Sequence, residues 1–281
     1  MRVFVTGFTG TLGTIVTKRL LEDGHTVVGY SRDEQKQRLI PDHPNLIKII
    51  GDVRDYDMVF AAMQHSELVL HLAALKCVDT LEFNPTEAMK TNAVGTDNVC
   101  RAARIWMGPK VVYTSTDKAC EPINAYGASK FLGEKIVLQS SSRNAVVRYG
   151  NVLGSRGSVL ASFVKSLFDH DCLNFTDPEM TRFWEKPEKI AELVIGTALG
   201  PDRGYVIPGM RSSTVAELGL AVAACMGVTD FSVNTIGVRP GEKKHEMLTY
   251  PDISSDTAER FTHDQLIEYI HPIIDKLRFE L

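Results

Sequence analysis

Short apolar runs alternate with amphipathic stretches through the first half of the chain. Val3-Phe4-Val5 forms the centre of a β-rich run from Arg2 to Thr6, and a glycine-punctuated segment follows from Gly7 to Gly13. Apolar spacing from Ile15 to Asp23 predicts an amphipathic helix stopped by Gly24. Further strands are predicted at Thr26 to Tyr30, Leu46 to Ile50, Leu68 to Leu72, Lys110 to Thr114 and Ala145 to Tyr149. Glu87 to Trp106 reads as one long helix and Ala125 to Gln139 as another. Strand and helix in turn predict an α/β fold, a doubly wound parallel sheet of the Rossmann type. Ligands of such sheets bind beyond the carboxyl ends of the strands.

Past Gly150 the rhythm changes. Gly, Ser and Arg crowd Gly154 to Ser158, and helical patterns then alternate with loops through Pro178, Pro187, Pro201 and Pro208. This predicts a first domain over 1–150 and a smaller C-terminal lobe over 151–281. The stretch from about 182 to 208 is also compatible with a return to the main sheet.

Composition narrows the function classes. With 281 residues, 44% hydrophobic and 23% charged, the chain suffices for one large globular unit or two fused lobes. A net charge of −4 and a pI near 6.1 give no electrostatic reason to expect nucleic-acid binding. Five cysteines without a Cys-x-x-Cys pair argue against a disulfide framework or a metal site; most are expected to be buried, inert thiols. No signal peptide and no apolar run of membrane-spanning length is visible, so a cytoplasmic protein without membrane attachment is expected.

Gly7-Phe8-Thr9-Gly10-Thr11-Leu12-Gly13 leaves a strand and opens a helix. Glycines let backbone approach a pyrophosphate, and a helix N-terminus attracts its charge. At the tip of the second strand, Ser31 and Arg32 suit the 2′-phosphate of NADP, whereas Asp33 keeps NAD open. Asp52 and Val53 are placed to touch adenine, and Ala73 and Ala74 to pass beneath the cofactor; packing or loop roles would serve these four equally.

Tyr126 and Lys130 stand one helical turn apart on one face. A nearby cation favours the phenolate, so this tyrosine is suited to take a proton. Upstream, Ser115-Thr116-Asp117-Lys118 adds hydroxyls, a carboxylate and a second amine, more acid–base equipment than a simple alcohol oxidation needs.

Together these runs resemble the extended branch of the short-chain dehydrogenase/reductases. His71-Leu72-Ala73-Ala74-Leu75-Lys76, Asn84-Pro85-Thr86-Glu87-Ala88, Thr91-Asn92, Arg148-Tyr149-Gly150-Asn151-Val152, Gly154-Ser155-Arg156-Gly157-Ser158-Val159, Met180-Thr181-Arg182-Phe183-Trp184 and Val238-Arg239-Pro240-Gly241-Glu242-Lys243 narrow the likeness. They look like the soluble, inverting UDP-N-acetylglucosamine 4,6-dehydratases, over residues 1 to about 250. Phe8 stands where that family commonly has glycine, Ala161 where it has proline, and Lys244 where it has an apolar residue; the chain also ends before the family's C-terminal portion does.

The resemblance implies an NADP-binding first domain and a nucleotide-sugar-binding second lobe. It implies that Tyr126, balanced by Lys130, removes the proton of the sugar 4-hydroxyl while Thr116 bonds the 4-oxygen. Lys118 would take the C5 proton and Asp117 would protonate the departing 6-hydroxyl, with inversion at C5. Non-inverting relatives carry Asp-Glu at 117–118. Arg156, Arg182 and Arg239 are implied diphosphate contacts, Lys76 and Asn151 approach the sugar or first phosphate (Lys76 also the cofactor), and Glu242 bonds a ribose hydroxyl. Val159, Met180 and Thr181 fall on the same substrate side. Asn92 holds a water beside Lys130 or caps a turn, and any of the charged residues can instead serve a surface ion pair. A homo-oligomer is expected, with helices near 87–106 and 125–139 as contact. Competing readings are another nucleotide-sugar dehydratase, an epimerase or reductase, and an NADP-holding sensor without turnover.

Overall fold

In the computed structural model, every residue except Met107, Glu280 and Leu281 is described. The chain divides into two compact units, Met1–Tyr149 with Glu188–Pro208, and Gly150–Pro187 with Gly209–Leu281.

The first unit is built on a seven-stranded sheet. Its strands are β1 (Arg2–Thr6), β2 (Thr26–Ser31), β3 (Leu46–Ile50), β4 (Leu68–His71), β5 (Lys110–Thr116), β6 (Ala145–Tyr149) and an edge strand, Gly204–Val206. The order is edge strand, β6, β5, β4, β1, β2, β3, with every pairing parallel. Strand order therefore reverses between β1 and β4, and the glycine segment leaves β1 at this switch point. Sheets covered on both faces need near-continuous apolar strands, and Val3 to Thr6 and Leu68 to His71 are indeed buried throughout. Phe4, Tyr30, Val69, Val99, Tyr113 and Val146 belong to one core cluster beside the sheet.

Two elements depart from the sequence pattern in informative ways. β5 runs two residues past the predicted end, because Ser115 and Thr116 pair in register with Arg148 and Tyr149 of β6. The long helix predicted from Glu87 is three pieces: α-helical Pro85–Ala88, a π-helical segment Met89–Val94, and α-helical Gly95–Ile105. Such π insertions are frequent at functional sites, and this one carries Asn92. Two short helices, Glu34–Arg38 and Tyr56–Ala62, fall where no element was predicted; the side chains of Asp33 and Asp55 cap them.

The second unit has its own core, with Leu160, Phe163, Leu173, Trp184, Leu218 and Ile270 at 2% exposure or less, apart from Phe163 at 3%. Each such side chain contributes roughly 1.5–3 kcal/mol by burial. Strands Arg211–Thr214, Thr181–Glu185 and Asn151–Val152 form a three-stranded sheet. A capping box between Thr214 and Glu217 starts the Val215–Met226 helix directly from that sheet. Among the described residues, no helix is long and apolar enough to cross a membrane. None of the five cysteines is in a disulfide; Cys77 is exposed, and Cys225 is half-buried.

Candidate active site

The glycine turn is fixed by close approach. Gly7 has φ +69°, and a Cβ there would lie 2.8 Å from the backbone of Ala73. A Cβ on Gly13 would lie 2.2 Å from the Gly7 carbonyl oxygen. Gly10, the N-cap of the Thr11–Glu22 helix, brings no capping side chain, so the helix start suits an anion. Thr9 is buried, and Thr11 and Leu12 are half-buried along the turn. Phe8, the bulky departure in this loop, turns inward. It is fully buried, and its ring occupies the space over Gly29 of β2, where a Cβ would be 2.6 Å away. The loop thus admits a phenylalanine without closing its outer face.

At the tip of β2, Asp33 is taken. It accepts from the Lys36 backbone N–H at 3.0 Å and pairs with the Lys36 ammonium at 2.6 Å. The hydrogen bond from Lys36 holds its carboxyl below the usual range. Ser31 is half-buried and its hydroxyl meets Gln37 at 3.1 Å. Arg32 is exposed and lies 3.4 Å from Asp52. Burial pushes the Asp52 carboxyl up, but hydrogen bonds from Arg54, with the charge of Arg32, outweigh it and hold the group low. Val53 points into the core against Gly95, where a Cβ would be 2.7 Å away, and Asn98 binds its carbonyl. Val53 can therefore offer a ligand only its backbone.

Ala73 and Ala74 are half-buried beside the glycine turn, and the Ala73 N–H donates to Thr6 at 3.2 Å. Asn92 is fully buried and its amide is committed on both ends: Oδ1 accepts from Leu75 N–H, and Nδ2 donates to the Leu75 carbonyl and Ser129 Oγ. Its role is to tie the 73–75 loop to the Tyr126 helix. Lys76 is exposed at the end of that loop.

Thr116, Asp117, Lys118, Tyr126 and Lys130 come together at the carboxyl end of β5. Asp117–Ala119 is a single 3₁₀ turn, and the Ala125–Ser140 helix packs on it so tightly that a Cβ on Gly127 would lie 2.1 Å from the Lys118 carbonyl oxygen. Asn124 caps this helix by accepting from Gly127 N–H. Within the turn, Thr116 Oγ1 donates to Asp117 Oδ1 at 2.9 Å, and Lys118 Nζ reaches the same oxygen at 3.0 Å. Asp117 is fully buried, and its Oδ2 has no hydrogen-bond partner among the described residues. A buried carboxylate oxygen in that state fits a site that receives a donor from a ligand.

Lys130 is 2% exposed, donates to the Thr114 carbonyl at 2.7 Å and lies 3.9 Å from the centre of the Tyr113 ring. Burial pushes its ammonium down to about 7, while Glu134 pulls it back up. Two buried residues to which sequence reasoning gave no role, His71 and Glu134, stand beside it. His71 bonds Thr6 through Nδ1 at 2.7 Å and Thr96 through Nε2 at 3.0 Å. Thr96 donates onward to the Asn92 carbonyl, so it accepts from His71 Nε2–H; Thr6 Oγ1, which accepts from the Ala73 N–H, is left to donate to Nδ1 of a neutral imidazole. Burial, then the charge of Lys130, pushes His71 down to about 3. Glu134 accepts from Ser115 Oγ at 2.6 Å, Arg148 Nε at 2.9 Å, a second Arg148 nitrogen at 2.6 Å and Tyr205 OH at 3.1 Å. The signal for Glu134 was present: Tyr126, Lys130 and Glu134 recur every four residues on one helical face.

In the second unit the predicted residues divide into two groups. Met180 is in the core, Thr181 bonds His245 and Ser255, and Arg182 spends its donors on the carbonyls of Thr181, Lys243 and Lys244. Thr181 and Arg182 brace the segment that follows the Arg239–Glu242 turn, where Glu242 accepts from the Arg239 N–H at 3.2 Å. Arg156 and Arg239 are exposed; Asn151, Val159 and Glu242 are half-buried. Val159 packs against the core at the start of its helix.

The sequence profile of a family described as polysaccharide biosynthesis proteins matches residues 3–268. The chain belongs to that family. It is 38% identical, over 92% of its length and 80% of the relative's, to a UDP-N-acetylglucosamine 4,6-dehydratase (inverting) of Campylobacter jejuni. It is also 38% identical, over 88% of its length and 76% of the relative's, to a UDP-glucose 4-epimerase of Rickettsia bellii. Among solved structures, Pen from Bacillus thuringiensis is 30% identical with a TM-score of 0.91, covering 98% of both chains. This polysaccharide biosynthesis protein thus carries the fold and relatives of the extended short-chain dehydrogenase/reductases, as its motifs implied.

Proposed function

We propose that this protein is a nucleotide-sugar 4,6-dehydratase acting on UDP-N-acetylglucosamine with inversion at C5. The observation that carries the reading is the Asp117–Lys118 pair, 3.0 Å apart in a turn packed on the Tyr126–Lys130 helix. One proton shared across that contact makes the pair either carboxylate and ammonium or acid and amine. The second form supplies a base for the C5 proton and an acid for the departing 6-hydroxyl without drawing a proton from solvent. Tyr126, supported by Lys130, removes the 4-hydroxyl proton, and Thr116, beside Asp117, hydrogen-bonds the 4-oxygen.

The first unit is the dinucleotide-binding part, with Gly7, Thr9, Gly10, Thr11, Leu12 and Gly13 around the pyrophosphate and Asp52, Val53, Ala73 and Ala74 along the adenosine and nicotinamide. A nicotinamide dinucleotide, when bound, accepts hydride from C4 and returns it to C6. NADP is the preferred form: Asp33 is held by Lys36, while Ser31 and the exposed Arg32, whose contact with Asp52 is long at 3.4 Å, suit the 2′-phosphate. Asn151, Arg156, Arg239 and Glu242 are assigned to the UDP group, as the motifs that carry them imply. Exposed Met89, Val94 and Leu132, on the segments from 85 to 105 and 125 to 140, suit contact with a second copy, and a cytoplasmic location fits a nucleotide-sugar substrate.

The test is incubation of the protein with UDP-N-acetylglucosamine and NADP in heavy water, followed by NMR. A 4-keto-6-deoxy product with deuterium at C5 and inverted configuration is expected; retained configuration overturns the inverting assignment. A second reading, 4-epimerisation, is favoured by the equal identity to the Rickettsia bellii relative. It predicts a C4 epimer with the 6-hydroxyl intact.

A further inference from the structure

Glu134 takes no part in the chemistry above, yet it is the most heavily bonded carboxylate beside it. It is fully buried one helical turn beyond Lys130, and it joins three strands to the Tyr126 helix: Ser115 on β5, Arg148 on β6 and Tyr205 on the edge strand. Two further groups beside Lys130 are neutral. His71 on β4 is a neutral imidazole held by two threonines, and burial keeps the Tyr113 phenol of β5 protonated. Tyr126, on the same helix, is the group whose charge Lys130 balances. Glu134 in turn faces Arg148, Tyr205 and Tyr113.

We propose that Glu134 is the buried counter-charge of Lys130, a positioning residue that keeps the lysine an ammonium while Ser115, Arg148 and Tyr205 fix where the negative charge sits. A fully buried ammonium bonded to a carbonyl and an aromatic face loses its proton readily. A carboxylate one turn away opposes that loss. Arg148 keeps the carboxylate ionised, since its guanidinium engages both oxygens. The ionisation stands independently of the substrate; its catalytic consequence rests on the dehydratase reading.

The test follows the ionisation of Lys130 directly. The full-length protein is labelled with ¹³C at lysine Cε and titrated by NMR, and Lys130→Arg identifies the signal. In Glu134→Gln the midpoint is expected to fall by about one unit or more. Tyr205→Phe and Arg148→Lys keep both charges and are expected to leave it nearly unchanged. An unmoved midpoint in Glu134→Gln overturns the proposal. If that variant does not fold, Glu134→Gln/Arg148→Gln replaces the ion pair with two neutral amides, and the same fall, smaller in size, is required of it. On UDP-N-acetylglucosamine, the alkaline limb of kcat is expected to move down with the midpoint while KM is unchanged. A uniform loss of kcat with the limb in place means a structural role only and overturns the catalytic part. A native protein that turns over no UDP-sugar sinks the dehydratase reading and leaves the NMR result to judge Glu134.

Discussion

Two buried ion pairs stand near the carboxyl end of β5, and they are built on opposite plans. Both carboxylates, Asp117 and Glu134, are fully buried. Glu134 has each oxygen bonded twice, by Ser115, Arg148 and Tyr205. Asp117 has both its donors on one oxygen and none on the other among the described residues. A saturated buried pair holds structure together, whereas an unsaturated one costs stability that nothing in the fold recovers. The difference separates the scaffold from the chemistry more sharply than charge or burial does.

The largest test breaks the unsaturated pair. Lys118→Ala is expected to lower dehydration about 10²–10⁴-fold, the range for removing a general acid or base. It is also expected to cost stability, since Asp117 is left fully buried without its cation. Going further, Asp117→Leu/Lys118→Met is expected to raise the denaturation midpoint while abolishing turnover, because apolar replacement of a poorly satisfied pair is neutral or stabilising. If that double variant is strongly destabilised, Asp117 is scaffold and the comparison fails.

Breaking the saturated pair is expected to do the reverse. Arg148→Met leaves Glu134 buried without its partner and is expected to cost about 3–5 kcal/mol in urea unfolding. NADP affinity of the fraction that remains folded is expected to be retained, because neither residue lies on the glycine turn or the β2 tip. A loss below about 1 kcal/mol would mean that the pair is replaceable by packing alone.

Much of this layer was legible in the sequence, and the rest was hidden for physical reasons. The parallel strands, the glycine turn and the Tyr126–Lys130 spacing are local patterns, and periodicity reads local patterns well. Asp117 and Lys118 were legible because they are adjacent. Glu134–Arg148 was not, because the partners come together only when β6 pairs with β5 in register. The commitment of Asn92 to Leu75 and Ser129 was hidden likewise, since a π-helical turn has no strong sequence mark. In the second unit, Met180, Thr181 and Arg182 read as ligands by motif, but burial spends their polar atoms within the fold. The inward turn of Phe8 required knowing that Gly29 lies opposite.

His71 gives an intermediate effect that needs pH to reveal it. Its folded-state value near 3 lies below the ordinary 6.5, so the unfolded chain binds a proton that the native protein refuses. That stability is fully present above about pH 6.5 and is lost as pH falls toward 3, at about 1.4 kcal/mol per unit. Between pH 7 and 4.5 the native protein is expected to lose roughly 2–3 kcal/mol more than His71→Gln does. Parallel losses in the two proteins would mean that His71 is not held neutral.

The smallest expected effect tests how the saturated pair is held together. Tyr205→Phe removes the 3.1 Å bond to Glu134 Oε2 and keeps the ring that lies 4.7 Å from the Arg148 guanidinium. Glu134 Oε2 still accepts from Arg148, so no buried oxygen is orphaned, and urea unfolding should register about 1 kcal/mol or less. A loss above about 2 kcal/mol would show that the four bonds strengthen one another. The network would then act as one unit, and the contrast with Asp117 would be one of cooperativity rather than of bond number.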